Sequence, residues 1–134
     1  MCIRDSISIG IAPHTLQISV NDQHLKELYN RALLFVYPSY YEGFGIPILE
    51  AYTCNCPVAL SQASCFPEIA ENAAAYFDPF SVSSMAEAIK SVIYDEAERT
   101  RLILAGKERI KLYSWEKATR QTELVYRKVA KAVF

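Results

Sequence analysis

Up to Phe77 the chain is built from short apolar runs that alternate with stretches of helical spacing, and this alternation constrains the fold most. The runs are "TLQISV" (15–20), "LLFVY" (33–37), "PVAL" (57–60) and "AAYF" (74–77). Each is too short for a buried helix and suits a strand. Strands separated by helices imply βαβ units and a parallel sheet. Asn21 and Asp22 are good caps for a helix running through Ala32, with Leu25, Leu28 and Tyr29 on one face. "LLFVY", bounded by Pro38, suits a strand covered on both faces. A helix follows from about Gly45 with Pro47 in its first turn, and Asn55 and Pro57 mark its end. Glu68 to Ala70 reads as one helical turn, and Asp78-Pro79 turns the chain. Residues 82–94 place Met85, Ile89, Val92 and Ile93 at helical spacing. Residues 95 to about 112 continue as helix, and Ser114 caps a last one with Glu116 in its first turn. "MCIRDS", Met1 to Ser6, fits no element. The expected organisation is a poorly defined, non-native leader over 1–15 and one partial domain over 16–134. The fold class is α/β: a Rossmann-like parallel sheet with flanking helices, truncated at its N-terminal side.

The chain has 134 residues, enough for one domain and its core. No apolar run approaches the ~20 residues that span a bilayer, and no basic start with an apolar stretch behind it marks a signal peptide. A cytoplasmic location is expected. Cys2, Cys54, Cys56 and Cys65 form no C-x-x-C pair, and His14 and His24 are distant from them in sequence. No metal site is expected from that spacing; reduced, mostly buried thiols are. Ten of the fourteen basic residues lie from Arg99 onward, while no Lys or Arg occurs between Arg31 and Lys90. A solvated amphipathic helix packing Trp115, Val125 and Val129 on the domain is the favoured reading of this basic tail. Peripheral contact with an anionic membrane surface, at its inner face, is the other. Nucleic acid is not an expected partner, because no aromatic residues interleave with the basic ones as stacking platforms.

The stretch most suggestive of chemistry is "LLFVYPSYYEGFGIPILEAY" (33–52), a strand, a loop and a helix start. The N-terminus of a helix after a parallel strand offers free N–H groups and a positive dipole end. Gly43 and Gly45 let the backbone approach a ligand. Phe44, Gly45 and Ile46 keep their N–H donors, whereas Pro47 has none. Glu50, more than a turn into the helix, can accept hydrogen bonds from two neighbouring hydroxyls. Glu42 lies on the other side of the amides. The order of hydroxyl reader, phosphate cradle and hydroxyl reader matches ribose, diphosphate and hexose. A dinucleotide dehydrogenase fits worse, since the third glycine of G-x-G-x-x-G would fall at Ile48.

"EGFGIPILE" resembles the E-x7-E motif of family 4 (group 1) glycosyltransferases, retaining enzymes with two Rossmann-like domains in the GT-B arrangement. "NDQHLKELYNRA", "CPVALS", "FPEIAENAAAYFDP" and "YSWEKATRQ" extend the resemblance over nearly the whole chain. It implies that this is the C-terminal, donor-binding half of such a fold. Glu50 would bind the donor ribose, and Glu42 would act catalytically, against the donor sugar near the reacting centre. The amides of Gly43, Phe44, Gly45 and Ile46 would hold the diphosphate, with Ile18 and Val20 near the base. Glu68 matches a frequent family glutamate, although an acidic residue favours a helix N-terminus in any case. The resemblance implies a nucleoside-diphosphate sugar as donor, GDP-mannose by the style of "FPEIAENAAAYFDP". It implies no cofactor and no metal, and a sugar or lipid-linked acceptor held by a missing N-terminal domain. The family's Arg and Lys clamp on the diphosphate has no counterpart in residues 32–89. The chain alone is therefore expected to bind donor weakly and to lack turnover. A standalone, non-catalytic module that binds a nucleotide sugar or a partner is the alternative.

Overall fold

The computed structural model describes residues 3–133. In chain order the elements are α1 (Ile3–Ser8), α2 (Asp22–Arg31), β1 (Phe35–Tyr37), α3 (Ile46–Thr53), β2 (Val58–Ser61), α4 (Phe66–Ala70), β3 (Ala74–Phe77), α5 (Val82–Ile93), α6 (Glu96–Ile110) and α7 (Trp115–Val133). Single 3₁₀ turns lie at Ala12–His14 and Glu71–Ala73. The three strands form a parallel sheet in the order β1-β2-β3. Phe35 pairs with Val58, and Val58 with Ala74.

One face of the sheet carries the larger core. Val58, Leu60 and Ala74 meet Ile48, Ala51 and Tyr52 of α3, Phe66 and Ile69 of α4, and Tyr29 of α2. The opposite face, with Ala59 and Phe77, is covered by Ala88 and Met85 of α5. Alternating side-chain direction along a strand produces this division, so Leu60 and Ala59 point to different layers. Helix ends are capped as the sequence implies. Asn21 accepts from the His24 N–H, Ser81 from Ser84, Asp95 from Glu98 and Ser114 from Lys117. At the C-terminus of α3, Asn55 takes a left-handed conformation (φ 56°) while the Cys56 N–H reaches back to Ala51 O at 2.9 Å. Asn is one of the few residues that tolerates that turn.

Several expectations are corrected. "TLQISV" forms no strand: residues 15–20 are irregular, with Leu16, Ile18 and Val20 exposed. A strand exists by pairing, and no described strand lies beyond β1 to pair with it. For the same reason β1 is an edge strand, shorter than "LLFVY"; it is packed on both faces as expected, Phe35 and Tyr37 toward the larger core and Val36 toward the smaller, but its residues are only half-buried. Ile3 to Ser8 do form an element, the short α1, although "MCIRDS" suggests none; Met1 and Cys2 lie outside the described residues. Leu28 does not share the buried face of Tyr29 and stays exposed, because that face follows Leu25 and Tyr29 at i, i+4.

The basic C-terminal part divides into two kinds of helix. The α6 arginines are tied to backbone carbonyls. Arg99 donates to Val92 O and Ile93 O at the end of α5, and Arg101 donates to Asn72 O. Arg109 donates to Glu68 O and Ile69 O at the end of α4, and pairs with Glu71 at 2.9 Å. These cations satisfy acceptors that a helix C-terminus leaves open. Helix α7 differs. Trp115, Val125, Tyr126 and Val129 are all exposed, so the expected packing of its apolar side on the domain does not occur. Nothing among the described residues covers that face.

Candidate donor site

The site is assembled at the carboxyl end of β1, where the chain loops into α3. Gly45 is the N-cap of α3 at φ 98°, ψ 48°. A side chain there would be strained, and a Cβ would lie 2.9 Å from Ile48 Cδ1 and 3.1 Å from the Phe66 ring. Glycine is thus required by the fold itself. At Gly43 the φ is not positive and a Cβ would meet nothing within 4 Å, so packing does not demand glycine at that position. The Ile48 N–H bonds to Gly45 O at 2.9 Å. Among the described residues no backbone acceptor takes the N–H of Phe44, Gly45 or Ile46.

Glu42 is half-buried and held by two neutral donors. Tyr37 Oη donates to Oε1 at 2.8 Å and Ser39 Oγ donates to the same oxygen at 2.9 Å. Glu50 is exposed, and Tyr29 Oη donates to its Oε2 at 3.4 Å. Burial, with the adjacent carboxylate, pushes the phenols of Tyr29 and Tyr37 up to about 12. Both stay protonated donors at any ordinary working pH. Among the described residues neither glutamate forms an ion pair. The loop after β2 clasps the motif from the other side. Ser64 Oγ donates to Glu42 O at 2.8 Å and lies 3.3 Å from the Glu42 N–H, which donates to it. Cys65 Sγ donates toward Phe44 O at 3.1 Å, and Ser61 Oγ donates to Ser39 O.

Two cavities adjoin this segment. One of about 260 Å³ is lined by Glu50 with Asp22, Lys26, Tyr29 and Thr53. The other, of about 600 Å³, runs between Phe44, Ile46 and Leu49 on one side and Tyr113 and Trp115 on the other. The larger is apolar and carries no carboxylate, so the smaller is the better match to a ligand rich in hydroxyls. Phe44 meets Tyr113 edge-on with centroids 5.7 Å apart. Among the described residues no three His, Cys, Asp or Glu side chains converge as metal ligands, and no helix is long and apolar enough to cross a membrane.

Glu42, Gly43, Phe44, Gly45, Ile46 and Glu50 thus share one strand–loop–helix unit. Ile18 and Val20 lie in the irregular segment before α2 and line neither cavity. Glu68 sits exposed in the first turn of α4, where its side chain makes no hydrogen bond among the described residues and its carbonyl accepts from Arg109. The sequence reading missed Tyr37, Ser39, Ser64 and Cys65 as supports of the loop, and Lys26 as a wall of the Glu50 cavity. For Lys26 a signal existed: Asp22, Lys26 and Tyr29 recur at helical spacing.

Residues 11–109 match the family described as glycosyl transferases group 1. The chain is 40% identical over 108 residues to O-antigen chain mannosyltransferase B of Escherichia coli, covering 81% of this chain and 28% of that protein. Over 76 residues it is 43% identical to O-antigen chain mannosyltransferase RfbU of Salmonella typhimurium, covering 57% of this chain and 21% of the relative. Sucrose-phosphate synthase from Thermosynechococcus elongatus superposes with a TM-score of 0.86 at 27% identity, covering 96% of this chain and 33% of that structure. The chain spans less than a third of the length of these two mannosyltransferases.

Proposed function

Because the chain belongs to the group 1 glycosyl transferases, we propose that it supplies the donor-binding half of a retaining GT-B hexosyltransferase acting on a nucleoside-diphosphate sugar. The observation that carries the reading is the pairing of two tethered carboxylates, neither in an ion pair among the described residues, on either side of a glycine-capped helix start. Carboxylates without a cation attract hydroxyls, and amides at a helix N-terminus attract phosphate. In this reading Glu50 takes the ribose hydroxyls. The amides of Phe44, Gly45 and Ile46, with the open backbone at Gly43, take the diphosphate, and Glu42 faces the hexose. Ile18 and Val20 would flank the base. The acceptor hydroxyl attacks on the face that the diphosphate leaves, and the leaving phosphate helps to take its proton. Charge grows on the diphosphate as the glycosidic bond breaks, so donors already aimed at it are the main catalytic contribution. A helix N-terminus supplies only about half a positive charge. The remaining compensation, and the sugar or lipid-linked acceptor, belong to residues beyond this segment in the full-length protein.

The mannosyltransferase names of the two relatives support mannose as the hexose, and GDP-mannose is the donor we propose. The free apolar face of α7, set against its Lys117, Arg120, Arg127, Lys128 and Lys131, supports peripheral contact with an anionic membrane. In the full-length protein Glu42→Gln mostly lowers turnover, with a smaller loss of donor affinity, whereas Glu50→Ala mainly weakens donor binding. Steady-state kinetics with calorimetric donor titration checks both, and equal, small effects would overturn the assignment of roles. Sequencing upstream of Met1 tests the wider reading. A continuing frame that encodes a second α/β domain with an Arg and a Lys supports the enzyme. An in-frame stop with a start signal supports a binding module instead.

A further inference from the structure

We infer that the two carboxylates are held in register by one row of aromatic rings, in which Tyr37 with Ser39 positions Glu42 and Tyr29 positions Glu50. The inference rests on the donor-site reading and deepens it. Phe35 and Tyr37 lie on the same face of β1, two residues apart. Tyr29 of α2 meets Phe35 edge-on at 5.3 Å between centroids. Phe35 meets Tyr37 at 5.6 Å, and Tyr37 meets the fully buried Phe66 of α4 at 5.0 Å. Four rings from three elements thus form one continuous row, and such ring pairs are favourable beyond their buried area. The two hydroxyls that leave this row are the ones that reach Glu50 and Glu42.

The geometry of Glu42 has a chemical consequence. Both of its protein donors bond Oε1, which uses that oxygen's acceptor capacity. Oε2 is left to accept from a ligand. The donors are neutral, so they orient the carboxylate without cancelling its charge. Tyr37 and Ser39 are therefore expected to fix hexose recognition specifically. Tyr29, acting through Glu50, affects recognition of the nucleoside.

The test uses the full-length protein and the tightest ligand from a panel of GDP-, UDP- and ADP-hexoses, titrated beside its parent nucleoside diphosphate. Wild type is expected to bind the nucleotide sugar more tightly than the diphosphate. Tyr37→Phe/Ser39→Ala, which keeps the ring row, should cut that sugar-dependent increment about tenfold and leave diphosphate affinity unchanged. Ser39→Thr, which keeps the hydroxyl, should retain the increment in an otherwise wild-type chain. Tyr29→Phe should weaken both ligands by the same factor. A wild-type increment that survives in the double variant overturns the positioning role and leaves the donor site standing. Wild-type protein that binds none of the panel overturns both, and so does binding with no sugar-dependent increment for Glu42's part.

Discussion

At the scale of single residues, the motif contains two glycines with different duties. Gly45→Ala forces a side chain into a left-handed conformation against Ile48 and Phe66, and should destabilise the fold by about 1–3 kcal/mol in denaturant unfolding. Gly43→Ala meets no protein atom and should leave stability within about 0.5 kcal/mol, while weakening diphosphate binding. The tyrosines make a second prediction. Tyr29, Tyr37 and Tyr76 are each pushed from 10.0 up to about 12, by burial first. The folded chain therefore holds their protons more tightly than the unfolded chain does. Their contribution to stability is complete below pH 10 and is lost as pH rises through about 12. In an alkaline titration, tyrosinate absorbance from these three groups should appear only as the pH approaches about 12, together with loss of circular dichroism. Glu42 and Glu50 were legible in the sequence because their spacing is itself the signal. Their tyrosine supports were not. Tyr29 is 21 residues from Glu50, and only the docking of α2 on α3 brings the two together.

At the scale of elements, α6 and α7 look alike in composition and behave oppositely. The run of basic residues suggested one solvated face, yet the α6 arginines cap carbonyls of other elements. For Arg101 and Arg109 that role is invisible in a sequence because the acceptors are main-chain atoms 29 to 41 residues away. The close approach of α6 to α3 also depends on a residue with no pattern signal. A Cβ on Gly106 would lie 2.5 Å from the buried ring of Tyr52, whose hydroxyl is anchored to Ala73 O at 3.1 Å. Gly106→Ala should lower the melting temperature, with overpacking of about 1–3 kcal/mol outweighing the helix propensity gained. Helix α7 gives the opposite expectation. Val125→Ala should change stability by less than about 0.5 kcal/mol, whereas Leu102→Ala, fully buried in α6, should cost about 2–5 kcal/mol. Thermal unfolding of the three variants side by side checks the contrast.

At the scale of the whole molecule, the alternation of strands and helices did predict a parallel α/β layer structure. It overestimated the number of strands because pairing partners, not apolar runs, decide which segments become strands. The consequence reaches the site through the open side of β1. Helices α3 and α4 both pack on one face of the sheet, so the strand order advances in a single direction from β1 to β3. A strand laid beyond β1 would reverse that direction, and open α/β sheets bind ligands in the crevice where the order reverses, at the carboxyl ends of the strands. The loop that carries Glu42 leaves β1 at that end. It would form one bank of a seam whose other bank a segment pairing with β1 would set. Exchanging that segment would rebuild one wall of the crevice and leave the three strands, the glycine-capped helix and the aromatic row undisturbed. Recognition of the sugar and recognition of everything across the seam could thus diverge independently.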